Sequence, residues 1–395
     1  MSVTLKRSSL YRALKVPRLR GISPLTVALA CLLVPARLPA TELLVPEAYA
    51  TIQAALDVAV AGDVVSVAPG LYPESVRFAS DGVTLRSRVR HGATIQGSGH
   101  VVNFSPYAGT VEGFVITGAV DRRAGVFTSG AAQVIRDNWI TGNADDGIHL
   151  SNGSVATIER NIIVDNAPTG YHSGISINTG AAATIVNNYI AGSGVGIWDF
   201  TYTGGADIFN NTLVDNANFG MLFTSGALRR IANNIIAGSE IGIHVTGPYD
   251  PDLSGSIGQF LEIDYNLLWN NSMFDYFAYL DTCGDRSCEI NEGPFDPLPG
   301  TSAVHADPLL DPATGYELSM GSPAVDAGDD AICPATDLDG QSRPVDGNTP
   351  PDGFAACDIG AFEYLPEPRH ETMLITGAAF LALLYRRRTR VPQPY

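Results

Sequence analysis

From about residue 110 onward, apolar and polar positions recur in one frame: an apolar residue, two variable positions, an Asn, one variable position, then Ile or Leu. IRDNWI, IERNII, IVNNYI, IFNNTL, IANNII and IDYNLL fill it, with the Asn at 138, 161, 188, 211, 234 and 266, in steps of 23, 27, 23, 23 and 32 residues. Between these Asn positions a Gly followed by alternating side chains repeats, as GVFT, GIHL, GISI, GIWD, GMLF and GIHV from Gly125, Gly147, Gly174, Gly196, Gly220 and Gly242. Period-two alternation is a strand signal. Two short strands per rung, with no room for a helix, predict an all-β stacked solenoid, a parallel β-helix.

A single rung cannot bury its own apolar face, so Ile148, Ile175, Ile197, Met221 and Ile243 are expected to stack into one interior, with rungs about 4.8 Å apart. Asn at a fixed corner suits a left-handed backbone, and its amide can bond to the Asn above and below. The six Asn residues therefore read as structural. Open strand edges at the end of the stack call for a cover. TIQAALDVAVAG supplies one, since Ile52, Ala55, Leu56, Ala59 and Val60 share one face of a helix that stops at Gly62.

Around that helix, VPEAYATIQAALDVAVAGDVVSVAPGLYPESV (Val45 to Val76) resembles the entry segment of bacterial right-handed β-helix proteins, which makes the expected winding right-handed. Further on, ADPLLDPATGYELSMGSPAVDAGDD, DLDGQSRPVDG and DIGAFEY (Ala306 to Tyr364) resemble the choice-of-anchor Q domain, found between a β-helix and a surface-anchoring tail. The expected organisation is a signal segment over 1–40, a β-helix with N-terminal cap and a late loop insertion over 41–305, the anchor-type segment over 306–365 and a tail over 366–395.

Both ends read as addresses. Lys6, Arg7, Arg12, Lys15, Arg18 and Arg20 precede an apolar run from Ile22 to Ala36 and then RLPATE, which offers cleavage after Ala40. Pro24 and Pro35 bracket a run shorter than the roughly 20 residues of a span, which favours a secretory signal over a retained helix. The Pro-Glu-Pro triplet at 366–368, the apolar run Met373 to Tyr385 and Arg386, Arg387, Arg388 and Arg390 resemble a PEP-CTERM sorting tail. That resemblance implies an exosortase-type sorting peptidase as partner in a Gram-negative cell. A single anchor helix held by the positive-inside rule is the alternative. Either way the body lies outside the cytoplasmic membrane.

With residues 1–40 and 369–395 removed, 12 basic and 40 acidic residues remain, a net −28 with no lysine. A surface of that sign repels nucleic acid and anionic membrane and favours cations or neutral ligands. Cys283, Cys288, Cys333 and Cys357 are even in number and suit an oxidising compartment. The expected pairs are Cys283–Cys288 and Cys333–Cys357, one of three possible pairings, with a zinc site as the competing reading. Asp337, Asp339 and Asp346 crowd a Gly/Pro-rich loop, and hard oxygen ligands at that density suit Ca2+.

Aligning the rungs points Phe127, His149, Ser176, Trp198, Leu222 and His244 outward in one column. Phe127, His149, Trp198 and His244 become candidates for stacking on successive sugar rings. In the same frame Arg123, Asp145 and His172 fall in one column with Asp146 beside them, a setting for acid–base chemistry. NADDGIHL followed by YHSGISI is similar to the Asn-x-Asp-Asp and Gly-His-Gly motifs of polygalacturonase-type glycoside hydrolases. The resemblance implies Asp146 as general acid, Asp145 activating water and His172 assisting the acid. Tyr171 and Ser173 flank His172 in place of glycines, and VGIWDF replaces that family's Arg-x-Lys.

The sequence thus predicts an exported, cell-surface β-helix protein whose lateral face recognises extracellular polysaccharide. A glycoside hydrolase or lyase, and a purely structural or adhesion protein, are the other readings it leaves open.

Overall fold

The computed structural model describes residues 40–167, 170–201, 204–224, 229–247, 261–280, 289–290, 302–313, 315–348 and 353–366. The signal segment apart from Ala40, the Cys283–Cys288 pair and the tail beyond Pro366 lie outside the described residues. Among the described residues, no helix is long and apolar enough to cross a membrane.

Each rung contributes one strand to each of three parallel sheets, of ten, nine and ten strands. The first sheet runs from Glu42–Val45 to Leu261–Asp264, and the second from Gly70–Tyr72 to Leu267–Trp269. The third starts at Val76–Arg77 and ends on Phe274–Leu280 and an antiparallel partner, Glu289–Ile290. Three strands per rung replace the expected two, because the Asn-centred motif is itself bent. Ala132–Arg136 and Trp139–Thr141 flank Asp137 and Asn138, and Asp137 takes a left-handed φ of 57° that turns the chain.

The expected interior is present. Ile148, Ile175, Ile197, Met221 and Ile243 are in register on adjacent rungs, and all are fully buried. The Gly opening each third-sheet strand is required by close approach. A Cβ on Gly147 would lie 2.7 Å from the carbonyl oxygen of Gly174, and one on Gly174 would lie 2.9 Å from that of Gly196.

The six Asn residues form a continuous ladder, all fully buried. Each side-chain Nδ2 donates to the next Oδ1 at 2.9–3.1 Å, from Asn138 through to Asn266. Each Oδ1 also accepts the backbone N–H of the Asn one rung below, which satisfies a corner that cannot reach water. The left-handed residue is the one before: Asp137, Arg160, Asn187, Asn210, Asn233 and Tyr265 carry φ of 51–58°. A second ladder at the next corner joins Asn143 to Asn166, with Asn216 and Asn271 accepting from Ser193 and Ser239 backbones. Its sequence signal is a left-handed Gly, Asp or Asn before Asn or Ser, as in Gly142-Asn143, Asp165-Asn166 and Asp215-Asn216.

The N-terminal helix is shorter than expected, Ile52–Leu56, with Thr51 as N-cap and the N–H groups of Ile52 and Gln53 donating to Glu74. Ile52, Ala55, Leu56 and Ala59 are buried, whereas Val60 is 52% exposed, because the helical face ends at Leu56. Asp63 accepts the N–H of Val60 and of Thr41 and bends the chain into the first rungs.

Described residues of the C-terminal part, between 304 and 364, lie against the second sheet. Leu338, Ala361 and Phe362 pack with Tyr189, Ala191, Val214 and Ala237. The left-handed asparagines hold this segment. Asn187 bonds Thr336 and Arg343, Asn210 bonds the Asp358 carbonyl, and Asn233 exchanges bonds with Asp329. Cys333 and Cys357 are disulfide-bonded.

Candidate functional site

The outward column is in register as aligned. Phe127 pairs with His149, His149 with Ser176, Ser176 with Trp198, Trp198 with Leu222 and Leu222 with His244. Its ring faces, however, look along the solenoid axis. His100 stacks on Phe127 at 4.4 Å and Phe127 on His149 at 5.6 Å, with interplanar angles of 25° and 23°. Rungs set that spacing, so the rings occupy one another's faces and present edges to solvent. Ser176 and Leu222, at 3% and 5% exposure, interrupt the column.

Further up the same face the rings gather into a half-buried cluster. Tyr171 lies 6.1 Å from Phe219, Phe219 4.9 Å from His244, His244 5.1 Å from Phe277 and Phe277 5.3 Å from Phe274, with Trp198 edge-on to Phe200. Val195, Leu222 and Ile241 fill the space between them. Tyr171 is 61% and Phe200 42% exposed. The alternation reading missed Tyr171, Phe219 and Phe274 because they sit off the column, at strand starts. Burial pushes the His244 imidazole down to about 4, and both its nitrogens lack a partner among the described residues.

Asp145 and Asp146 leave the corner before Ile148–Ser151 and serve different histidines. The Asp145 carboxylate meets His172 Nδ1 at 2.5 Å on the next rung. Asp146 Oδ2 meets His149 Nδ1 at 2.7 Å, while its Oδ1 accepts both the backbone N–H and the hydroxyl of Ser173 at 2.8 Å. Ser173, seen in the sequence only as a departure from a Gly, is a working partner. Burial first, and the adjacent Asp146 charge second, push the Asp145 carboxyl above its ordinary range. Arg123 does not complete an Arg–Asp–His column. Its guanidinium lies 3.3 Å from His100 Nε2, and burial and Arg123 push His100 down to about 4. An open recess of about 610 Å3 lies beside this cluster, lined by Gly118, Val120, Asn143, Asp165 and His172 among others.

Among the described residues, the carboxylates and imidazoles whose ligand atoms converge within 4.8 Å are those of Asp145, Asp146 and His172. Asp337, Asp339 and Asp346 are not brought together. Asp337 accepts backbone N–H groups of Asp339, Gln341 and Glu363, Asp339 pairs with Arg90, and Asp346 accepts from Asn348 and Gly353. Their oxygens shape turns, so these donors do not fit a shared Ca2+.

Several arginines elsewhere on the solenoid are held in ion pairs. Arg136 bridges to Glu112, Arg160 to Asp137 and Arg230 to Asp207 across rungs. Arg229 is 3% exposed and holds the inward, fully buried Asp199 at 2.6 Å.

Residues 124–284 match the family model described as a right handed beta helix region. No curated protein matches the sequence. Similar solved structures include pectate lyase Pel9A, at 13% identity and a TM-score of 0.45, covering 79% of this chain and 90% of that one. An alginate lyase from Paenibacillus sp. str. FPU-7 follows at 17% and 0.40, covering 61% and 92%. A mannuronic acid specific family 6 polysaccharide lyase from human gut microbiota follows at 12% and 0.35, covering 67% and 81%. Similarity at this level carries no argument about substrate or activity. With the register of the three parallel sheets, the rungs form a right-handed parallel β-helix.

Proposed function

We propose that this is an exported surface protein whose third-sheet face engages extracellular polysaccharide. The aromatic cluster from Tyr171 and Phe200 to Phe277 supports this reading, because Tyr171 and Phe200 stand exposed at its rim, backed by half-buried rings, and exposed aromatic rings match the apolar faces of sugars. In the same reading the signal segment directs export, the helix at Ile52–Leu56 caps the stack, the segment over 306–365 is an anchor-type domain, and an exosortase-type peptidase acts on the tail. Binding of the secreted protein to immobilised neutral and acidic glycans tests it. Tyr171→Ala and Phe200→Ala are each expected to weaken binding by about 2- to 10-fold, the worth of one aromatic contact. Affinity unchanged in both variants would remove the reading.

A second reading, cleavage of the bound glycan, is favoured by the pairing of Asp145 with His172 and of Asp146 with His149 beside an open recess.

A further inference from the structure

We infer that His149, held by Asp146, is the proton acceptor of a hydrolytic centre for neutral polysaccharide. The inference rests on the cleavage reading above and reassigns its parts: Asp146 becomes a positioning residue, and His149 the group that meets water.

The hydrogen-bond pattern around Asp146 dictates this division. Its side chain is 7% exposed, and both oxygens are committed, Oδ1 to Ser173 and Oδ2 to His149. A carboxylate so engaged has no face left for substrate. What it does is fix its neighbour. As an acceptor it keeps a proton on His149 Nδ1, which leaves Nε2 with a free lone pair. The His149 side chain is 27% exposed, and Nε2 makes no hydrogen bond to the described protein. A buried carboxylate orienting an imidazole whose other nitrogen is open is the arrangement of a general base.

In the step, Nε2 takes a proton from water as the water oxygen bonds to the anomeric carbon. The glycosidic oxygen leaves with the bonding pair and takes a proton from the Asp145–His172 pair. The His149 imidazolium, still hydrogen-bonded to Asp146, then returns its proton to solvent, and solvent reprotonates Asp145–His172. Water is the co-reactant, and no redox change occurs. A neutral sugar is specified by charge. The body carries −28 without lysine, and Arg123 is turned to His100. A uronate substrate would bring its own negative charge against the carboxylates of Asp145 and Asp146.

The same geometry makes a sharp prediction for Asp146→Asn. The Ser173 backbone N–H can only donate, so the amide oxygen must face it and the amide NH2 must face His149. Nδ1 then has to accept, which moves the ring proton to Nε2 and removes the base. Histidine-selective 15N NMR should show the Nδ1–H tautomer at His149 in the wild type and the Nε2–H tautomer in Asp146→Asn. Reducing-end release from neutral glycans should fall 10^2- to 10^4-fold in both Asp146→Asn and His149→Gln, the usual contribution of a general base, with melting temperature and glycan binding retained.

An Nε2–H tautomer in the wild type, turnover surviving both substitutions, or an unsaturated product from uronates would each overturn the inference. Glycan binding without turnover across the panel would also overturn it while leaving the recognition reading standing. Absence of both binding and turnover would remove the two together.

Discussion

At the scale of single residues, the two adjacent aspartates show how much one peptide step decides. Asp145 turns to His172 on the next rung, and Asp146 turns inward to Ser173 and His149. NADDGIHL places two carboxylates and a histidine close together in the chain, and in the structure one of the two, Asp146, meets that histidine. Which carboxylate pairs with which imidazole depends on a corner whose dihedral angles alternation does not encode. The Asn ladder was legible for the opposite reason, because the same residue recurs wherever the same buried backbone groups need an amide. Asn188 is the test. Its Nδ2 serves the carbonyls of Ile158 and Val186 and the Asn211 amide, and its Oδ1 accepts twice from Asn161. Asn188→Ala orphans several of these buried groups at about 1–3 kcal/mol each. We expect a loss of at least about 3 kcal/mol by urea denaturation, and a loss below 1 kcal/mol would mean water replaces the amide.

At the scale of elements, the sequence predicted strands, their order and their inward residues, yet merged two strands of every rung into one. The six-residue Asn motif looked continuous because Ile and Leu flank it. A left-handed φ at the residue before Asn splits it into strands on two sheets. That same residue acquires a second use. Asn187, Asn210 and Asn233 face outward and take hold of the segment after 302, whereas Asp137 and Arg160, on earlier rungs, pair with each other. The Cys333–Cys357 disulfide closes a 24-residue separation within that segment. By chain entropy it is worth roughly 3 kcal/mol. Cys333→Ser is expected to lower the melting temperature by several degrees while leaving the rung register unchanged, measured by calorimetry and far-UV circular dichroism. No shift in melting temperature would show that packing on the second sheet alone sets the stability of the segment.

At the scale of the whole molecule, the C-terminal segment and the solenoid share an ionic centre. Arg343 and Glu363 are paired with both side chains fully buried, and the Glu363 carboxylate lies against the Asp358 backbone N–H. Burial, then the Glu363 charge, raise the Asp358 carboxyl from 3.8 to about 8, against the opposing bonds from Tyr364 and Asp326 and the charge of Arg343. A carboxyl whose folded pKa is raised binds its proton more tightly when native, so its stabilisation is complete below about pH 4 and is lost as pH rises towards 8. Burial raises Asp145, Asp199 and Glu363 in the same direction. Melting temperature is therefore expected to fall between pH 4 and 8, and less steeply in Asp358→Asn; equal slopes would show that Asp358 stays ionised in the fold. None of this was legible from the chain. Asp358 and Glu363 lie 5 residues apart and meet Arg343 and Asn187 from distant positions. What the sequence determined by itself is the solenoid, because every rung repeats the same local solution and errors in one rung are outvoted by the others. What only the tertiary structure decided is everything that happens once: the Asp146–His149–Ser173 contact, the Asp199–Arg229 pair in the interior and the docking of the last segment. A unique contact leaves no periodic trace, so its geometry exists only when the rungs are stacked.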